Sequence, residues 1–173
     1  TFASRTRPPA GFYTSWTKWL PVKKAYEART PAYFATPPTN LIYALHTSLK
    51  TITEGPVSLA QRFEKHREAS QRVKKGIENL GLEQLAQPDS RQNGVANGMT
   101  AVRYPRGFKA SDILPKMAQR GVVFGAGLHK DAKDEYFRIG HMGVSVVDPA
   151  RRDVDIILQK LEEALAEAGY QKQ

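Results

Sequence analysis

The chain has 173 residues, 40% of them apolar, and a formal net charge of +9; that length suits one well-packed domain or one with an appendage, and the composition excludes wholesale disorder. Cysteine is absent, which excludes disulfides and thiolate metal sites and fits a reducing, intracellular compartment. No stretch approaches a membrane span and no charged-then-apolar leader opens the chain, so neither a membrane nor a secretory signal is expected.

The opening, TFASRTRPPAGFYTSW, has neither a helical nor a strand period, and Pro8, Pro9 and Gly11 interrupt it. Phe2, Phe12, Tyr13, Trp16 and Trp19 are rings that need a surface to cover, so this reads as chain from the middle of something longer. Residues 16–28 fit a short helix, broken or bent near Pro21. In TPAYFATPPTNLIYALHTSLKTITEG, Ile42, Leu45, Leu49 and Ile52 recur at helical spacing, predicting a helix over 38–53 that Gly55 stops. Pro37 and Pro38 suit its entrance, with Thr36 a candidate cap just before them. A longer helix follows, on which Leu59, Phe63, His66, Ser70, Val73, Ile77 and Leu80 alternate steps of three and four until Gly81. His66 reads there as a hydrogen-bonded histidine at the edge of the core.

Beyond Gly81 the period changes. LEQLA reads as a short strand, PDSRQNGVANG as a polar loop, NGMTAVRYP as a strand and ASDILPKMAQRG as a helix. VVFGAGL is a strand running into a glycine-bearing turn, and YFRIGHMG is another strand. Asp148 and Pro149 then open a final helix, with Val154, Ile157, Leu158, Leu161 and Leu165 on one apolar face. That order predicts an α+β fold, a small and largely antiparallel sheet covered by helices.

The basic surplus is dispersed. Residues 1–30 hold six Lys/Arg against the single acid Glu27, and no arginine-rich run or basic–aromatic repeat occurs. A generally basic protein is expected, with no nucleic-acid partner. His46, His66, His129 and His141 lie far apart without matching carboxylates, so no metal site is expected.

Three places could carry chemistry. Strand alternation puts Tyr136, Arg138 and Gly140 on one face, with Phe137 and Ile139 on the other. A guanidinium there offers a rigid fork to a carboxylate or phosphate, and Gly140 leaves room beside it; an internal pair with Asp or Glu is the competing explanation. The second place is Tyr33-Phe34-Ala35-Thr36, before a helix entrance that attracts anions, where the hydroxyls of Tyr33 and Thr36 could reach a phosphate or Thr36 could simply cap. The third is Gly125-Ala126-Gly127, which would let backbone approach a ligand or would be a plain turn; it is not a dinucleotide fingerprint.

All three places occur together, in chain order, in one family. PAYFATPPTNLIYAL, RFEKHREAS, TAVRYP, GVVFGAGL and FRIGHMG resemble class V aminotransferases, specifically the alanine–glyoxylate and serine–pyruvate group that uses pyridoxal phosphate. The likeness runs from about Phe12 to Ala168, and FATPPTNLIYAL and FRIGHMG are its most specific parts. It implies that Arg138 binds the substrate's α-carboxylate and that Tyr33 and Thr36 reach the cofactor phosphate of the neighbouring subunit in a homodimer. It makes Gly125 and Gly127 candidates at the substrate mouth. Residues 1–54, with the helix 38–53, would end the large domain and bridge to the small one; residues 55–173 would be the C-terminal small domain of the type I fold. The substrates would be amino acids and 2-oxo acids, with alanine or serine giving its amino group to glyoxylate.

One departure bears on activity. The family's Schiff-base lysine and the aspartate facing the pyridine nitrogen lie upstream of the matched region, and no lysine here has a matching context, so this chain holds no catalytic residue of its own. It reads as the C-terminal portion of an enzyme about twice as long, inactive by itself. The alternative is a non-catalytic α+β binding or assembly module that keeps the family fold.

Overall fold

The computed structural model describes Ser4, Thr6, Arg7, residues 11–86 and residues 95–172. Phe2 and most of the loop read over 88–98 lie outside the described residues. The chain divides into two compact units, Thr1–Thr51 and Ile52–Gln173.

In the first unit, α1 (Trp16–Glu27) runs through Pro21 without the expected break. The Pro21 ring removes one i−4 hydrogen bond close to the helix start, which leaves the rest of the ladder to hold the turn. Arg29 ends the helix in the left-handed region at φ 56°, and the Thr30 amide donates to the Ala25 carbonyl over 2.8 Å. Rings before, within and after α1 interlock: Phe34 lies 5.0 Å from Phe12 and 5.1 Å from Trp19, and Trp19 lies 5.4 Å from Tyr13. Phe12, Tyr13 and Trp16 nonetheless remain exposed. The predicted second helix is present as α2 (Thr39–Thr53), and none of its residues is buried.

The second unit holds α3 (Leu59–Asn79), β1 (Met99–Arg103), α4 (Ala110–Gln119), β2 (Gly125–Ala126), β3 (Tyr136–Gly140), α5 (Val144–Val147) and α6 (Asp153–Glu167). Ser58 and Gln61 form a reciprocal capping box at the start of α3, and Gly81, at φ 74°, follows its end. The three strands form an antiparallel sheet in the order β1-β3-β2, so the fold is α+β. Val73 and Ile77 of α3, Ile113 and Met117 of α4, and Leu161 and Leu165 of α6 join Val102, Phe137 and Ile139 of the sheet in one buried cluster. Phe124 stacks on Phe137 at 5.3 Å. Among the described residues no helix is long and apolar enough to cross a membrane.

Four local expectations change. LEQLA forms one bridge, Gln84 with Val102, rather than a strand. VVFGAGL pairs only through Gly125 and Ala126, because the Val122 amide is already committed to the Met117 carbonyl at the end of α4. The last helix starts at Asp153 instead of Asp148; the Asp148 side chain accepts from the Ala150 amide at 2.9 Å and closes a turn, with the unforeseen α5 before it. Leu59 and Phe63, read as part of the core stripe of α3, stay exposed.

Candidate functional site

Arg138 sits on the central strand of the second unit, and its neighbours are small. Directly opposite it stand Ala101 on β1 and Gly125 on β2, and opposite residues of an antiparallel pair share a face. Phe137 and Ile139 point the other way and are fully buried, so the core fixes the strand's register and with it the direction of Arg138. The Arg138 Nε donates to the Ala126 carbonyl over 2.9 Å. A Cβ built on Gly125 would stand 2.8 Å from Nη2 and 3.1 Å from Cζ of Arg138; the guanidinium therefore lies across β2, over the bare glycine. No Asp or Glu among the described residues pairs with it, so the competing internal ion pair is not found within them.

Gly127 is needed for a different close approach. A Cβ there would collide with the Lys133 carbonyl and come within 2.8 Å of the Tyr136 ring. Tyr136, buried two residues before Arg138, accepts hydrogen bonds at its phenol oxygen from the amides of Leu128 at 2.9 Å and His129 at 3.0 Å. These amides, Leu128 first and His129 next, hold the phenol below the usual tyrosine range; burial works against them and the Arg138 charge works with them. Arg138, Gly125 and Gly127 are thus brought together, with Tyr136 as an added member. Sequence reading put Tyr136 on the face of Arg138 but assigned it no role; its i−2 position was the available signal.

Tyr33 and Thr36 meet in the first unit. Their hydroxyls lie 3.2 Å apart, and the Thr36 carbonyl accepts from the Tyr13 phenol at 2.8 Å. Thr36 does not act as the helix cap: its hydroxyl faces Tyr33, and the Thr39 hydroxyl and amide instead turn to the Pro37 carbonyl. Tyr33 is 76% exposed. Two exposed hydroxyls at this spacing, before a helix whose first amides lack intrahelical carbonyl partners, can serve one phosphate group together. The donor set fits pyridoxal phosphate at its phosphate end.

The strand carrying Arg138 is tied down at its far end by a buried polar pair. The Thr100 hydroxyl and Nε2 of His141 lie 2.8 Å apart, and the His141 amide donates to the Gly98 carbonyl over 2.9 Å. His141 Nδ1 is buried without a hydrogen-bond partner among the described residues. Burial is the main influence pushing His141 below the ordinary histidine value. The nearby carbonyls of His141 and Asn97, short of hydrogen-bond geometry, act the other way, and the charges of Lys74 and His66 add to the lowering. His66 behaves as expected of a core-edge histidine, with Nδ1 2.6 Å from the Arg62 carbonyl and Nε2 accepting from the Gly143 amide at 3.0 Å. Among the described residues no group of His, Asp or Glu could hold a metal ion.

No family model matches the chain. Alanine–glyoxylate aminotransferase 1 of Saccharomyces cerevisiae is 39% identical over 135 residues, which are 78% of this chain and 34% of that protein. Serine–glyoxylate aminotransferase of Arabidopsis thaliana is 29% identical over 82% of this chain and 33% of its own length. The chain is a homologue of the class V aminotransferases. Its fold agrees: ureidoglycine–glyoxylate aminotransferase of Bacillus subtilis superposes with a TM-score of 0.74 at 23% identity, over 99% of this chain and 41% of that one. The α+β unit is accordingly the small C-terminal domain of the pyridoxal-phosphate-dependent transferase fold. This aminotransferase homologue spans about a third of the curated relatives it matches.

Proposed function

We propose that this chain is the C-terminal portion of an aminotransferase that moves an amino group from alanine or serine to glyoxylate with pyridoxal phosphate. The observation that carries this reading is Arg138: a strand arginine seated over a glycine, held at Nε by a carbonyl and paired with no carboxylate among the described residues. A guanidinium so placed keeps its terminal nitrogens for a planar, two-oxygen partner, the chemistry of an amino acid's carboxylate. Glyoxylate recurs in the curated relatives' names, with alanine in one and serine in another, which supports the substrate class.

Tyr33 and Thr36 hold the cofactor phosphate in this reading, at an active site shared with the neighbouring subunit of a homodimer. Gly125 and Gly127 belong to the substrate end, where they allow close approach. Pyridoxal phosphate, when bound, supplies the electron sink that permits proton movement at the amino acid's α-carbon. This chain's residues bind and orient; the lysine that carries the cofactor lies in the remainder of the enzyme, which is intracellular. The 173-residue chain by itself has no transaminase activity.

The protein expressed from its complete coding sequence tests the reading. Incubated with glyoxylate, pyridoxal phosphate and either alanine or serine, it forms glycine together with pyruvate or hydroxypyruvate. A folded, cofactor-binding protein that makes glycine from neither donor contradicts the proposal. So does an intact mass from the natural source equal to that of 173 residues, which would favour the binding or assembly module.

A further inference from the structure

Arginine side chains have long, flexible stems, so a guanidinium that reads a carboxylate needs something to hold it still. The means lies outside the residues that touch substrate in the proposed reading. Ala126, whose carbonyl takes the Arg138 Nε–H, is one of only two residues in β2. Beyond it the chain leaves the sheet, and the loop back to β3 is closed from within by the Tyr136 phenol, which takes the amides of Leu128 and His129.

We propose that Tyr136 is a positioning residue for Arg138: by anchoring Leu128 and His129 it holds the Ala126 carbonyl under the Arg138 Nε–H, while Gly125 leaves width for the guanidinium to lie across β2. The geometry has a short path and few parts. Tyr136 and Arg138 are two residues apart on one strand face, so they move as one body. The other half of the clamp, residues 125–129, is joined to that body by β2 pairing and the phenol. Gly127 admits the Tyr136 ring, since a Cβ there would stand 2.8 Å from it. Removing the phenol oxygen leaves two amides without their acceptor and frees the segment that carries the Ala126 carbonyl.

This inference rests on the reading of Arg138 as the carboxylate-binding residue, and the experiment separates the two. In the complete protein, 15N-arginine labelling identifies the Arg138 Nε–H by its loss in R138K, and its hydrogen exchange is compared in wild type and Tyr136→Phe. Faster exchange by about tenfold, the equivalent of one hydrogen bond, is expected in Y136F. A KM for the amino acid raised by a similar factor, with kcat and cofactor affinity unchanged, is expected alongside it. Gly125→Ala, which keeps the phenol contacts but crowds Nη2, raises KM in the same way. Wild-type exchange at Arg138 in Y136F overturns the proposal. If R138A leaves KM unaltered, the carboxylate reading fails, and the exchange result alone then decides the positioning role. If Y136F does not fold, wild-type exchange decides: Nε–H opening at the same rate as the Leu128 and His129 amides supports the proposal, and independent opening overturns it.

Discussion

The phenol oxygen of Tyr33 and the hydroxyl of Thr36 stand 3.2 Å apart, although two residues separate them and one of these, Phe34, packs elsewhere, against Phe12 and Trp19. The two hydroxyls therefore meet just before α2, and in the proposed reading both turn to the cofactor phosphate. Tyr33→Phe or Thr36→Val in the complete protein weakens pyridoxal phosphate binding by roughly ten- to a hundredfold, as expected for one hydrogen bond to a charged group of about 1.5 to 3 kcal/mol. Cofactor titration followed by absorbance checks this. Unaltered affinity in both variants would remove the two residues from the cofactor site.

Arg138→Lys separates charge from geometry. An ammonium keeps the charge, but cannot both donate to the Ala126 carbonyl and present a planar fork. Turnover with alanine therefore falls nearly as far as in R138A, while cofactor affinity stays at the wild-type value. Steady-state kinetics of both variants supply the comparison; recovery of activity in the lysine variant would show that charge alone suffices.

Much of this arrangement is legible in the amino-acid order. Alternation in YFRIG places Phe137 and Ile139 inside and Arg138 on the opposite face, because the strand period is two and both apolar residues are buried. The long helix at Leu59–Asn79 is readable from its steps of three and four and from Gly81 at its end. Residues 82–86 and 122–128 are not, since strand pairing depends on where distant backbone groups become available. Val122 loses its chance to the Met117 carbonyl. That no carboxylate among the described residues pairs with Arg138 is equally invisible in one dimension, because the competing pair would come from elsewhere in the chain.

Acid should weaken the second unit through His141. Its folded value lies below the ordinary 6.5, with burial the main cause. Between those two values the unfolded chain binds the proton that the folded one refuses, so the stability tied to neutral His141 is complete above 6.5 and is lost as pH falls through the folded value. His141→Gln flattens that limb. Urea midpoints across the acid range give the slopes. Identical slopes in wild type and variant would assign the acid sensitivity to other groups.

Phe137 tests the core under the site. It is fully buried between Tyr104 and Phe124, whose ring centroids each lie 5.3 Å away. Phe137→Ala costs about 3 to 5 kcal/mol, the range for emptying an aromatic site that collapses only partly. Denaturant unfolding of the wild type and variant measures it. A loss below 1 kcal/mol would mean that the sheet is not held to the helices through this ring.

The central claim, that Arg138 recognises the amino acid's carboxylate, is tested most directly by kcat/KM for alanine in wild type and Arg138→Ala of the complete protein. A fall of about a hundredfold or more is predicted, the effect of removing one partner from a hydrogen-bonded charge pair, with the cofactor dissociation constant unchanged. A kcat/KM equal to that of the wild type would contradict the account.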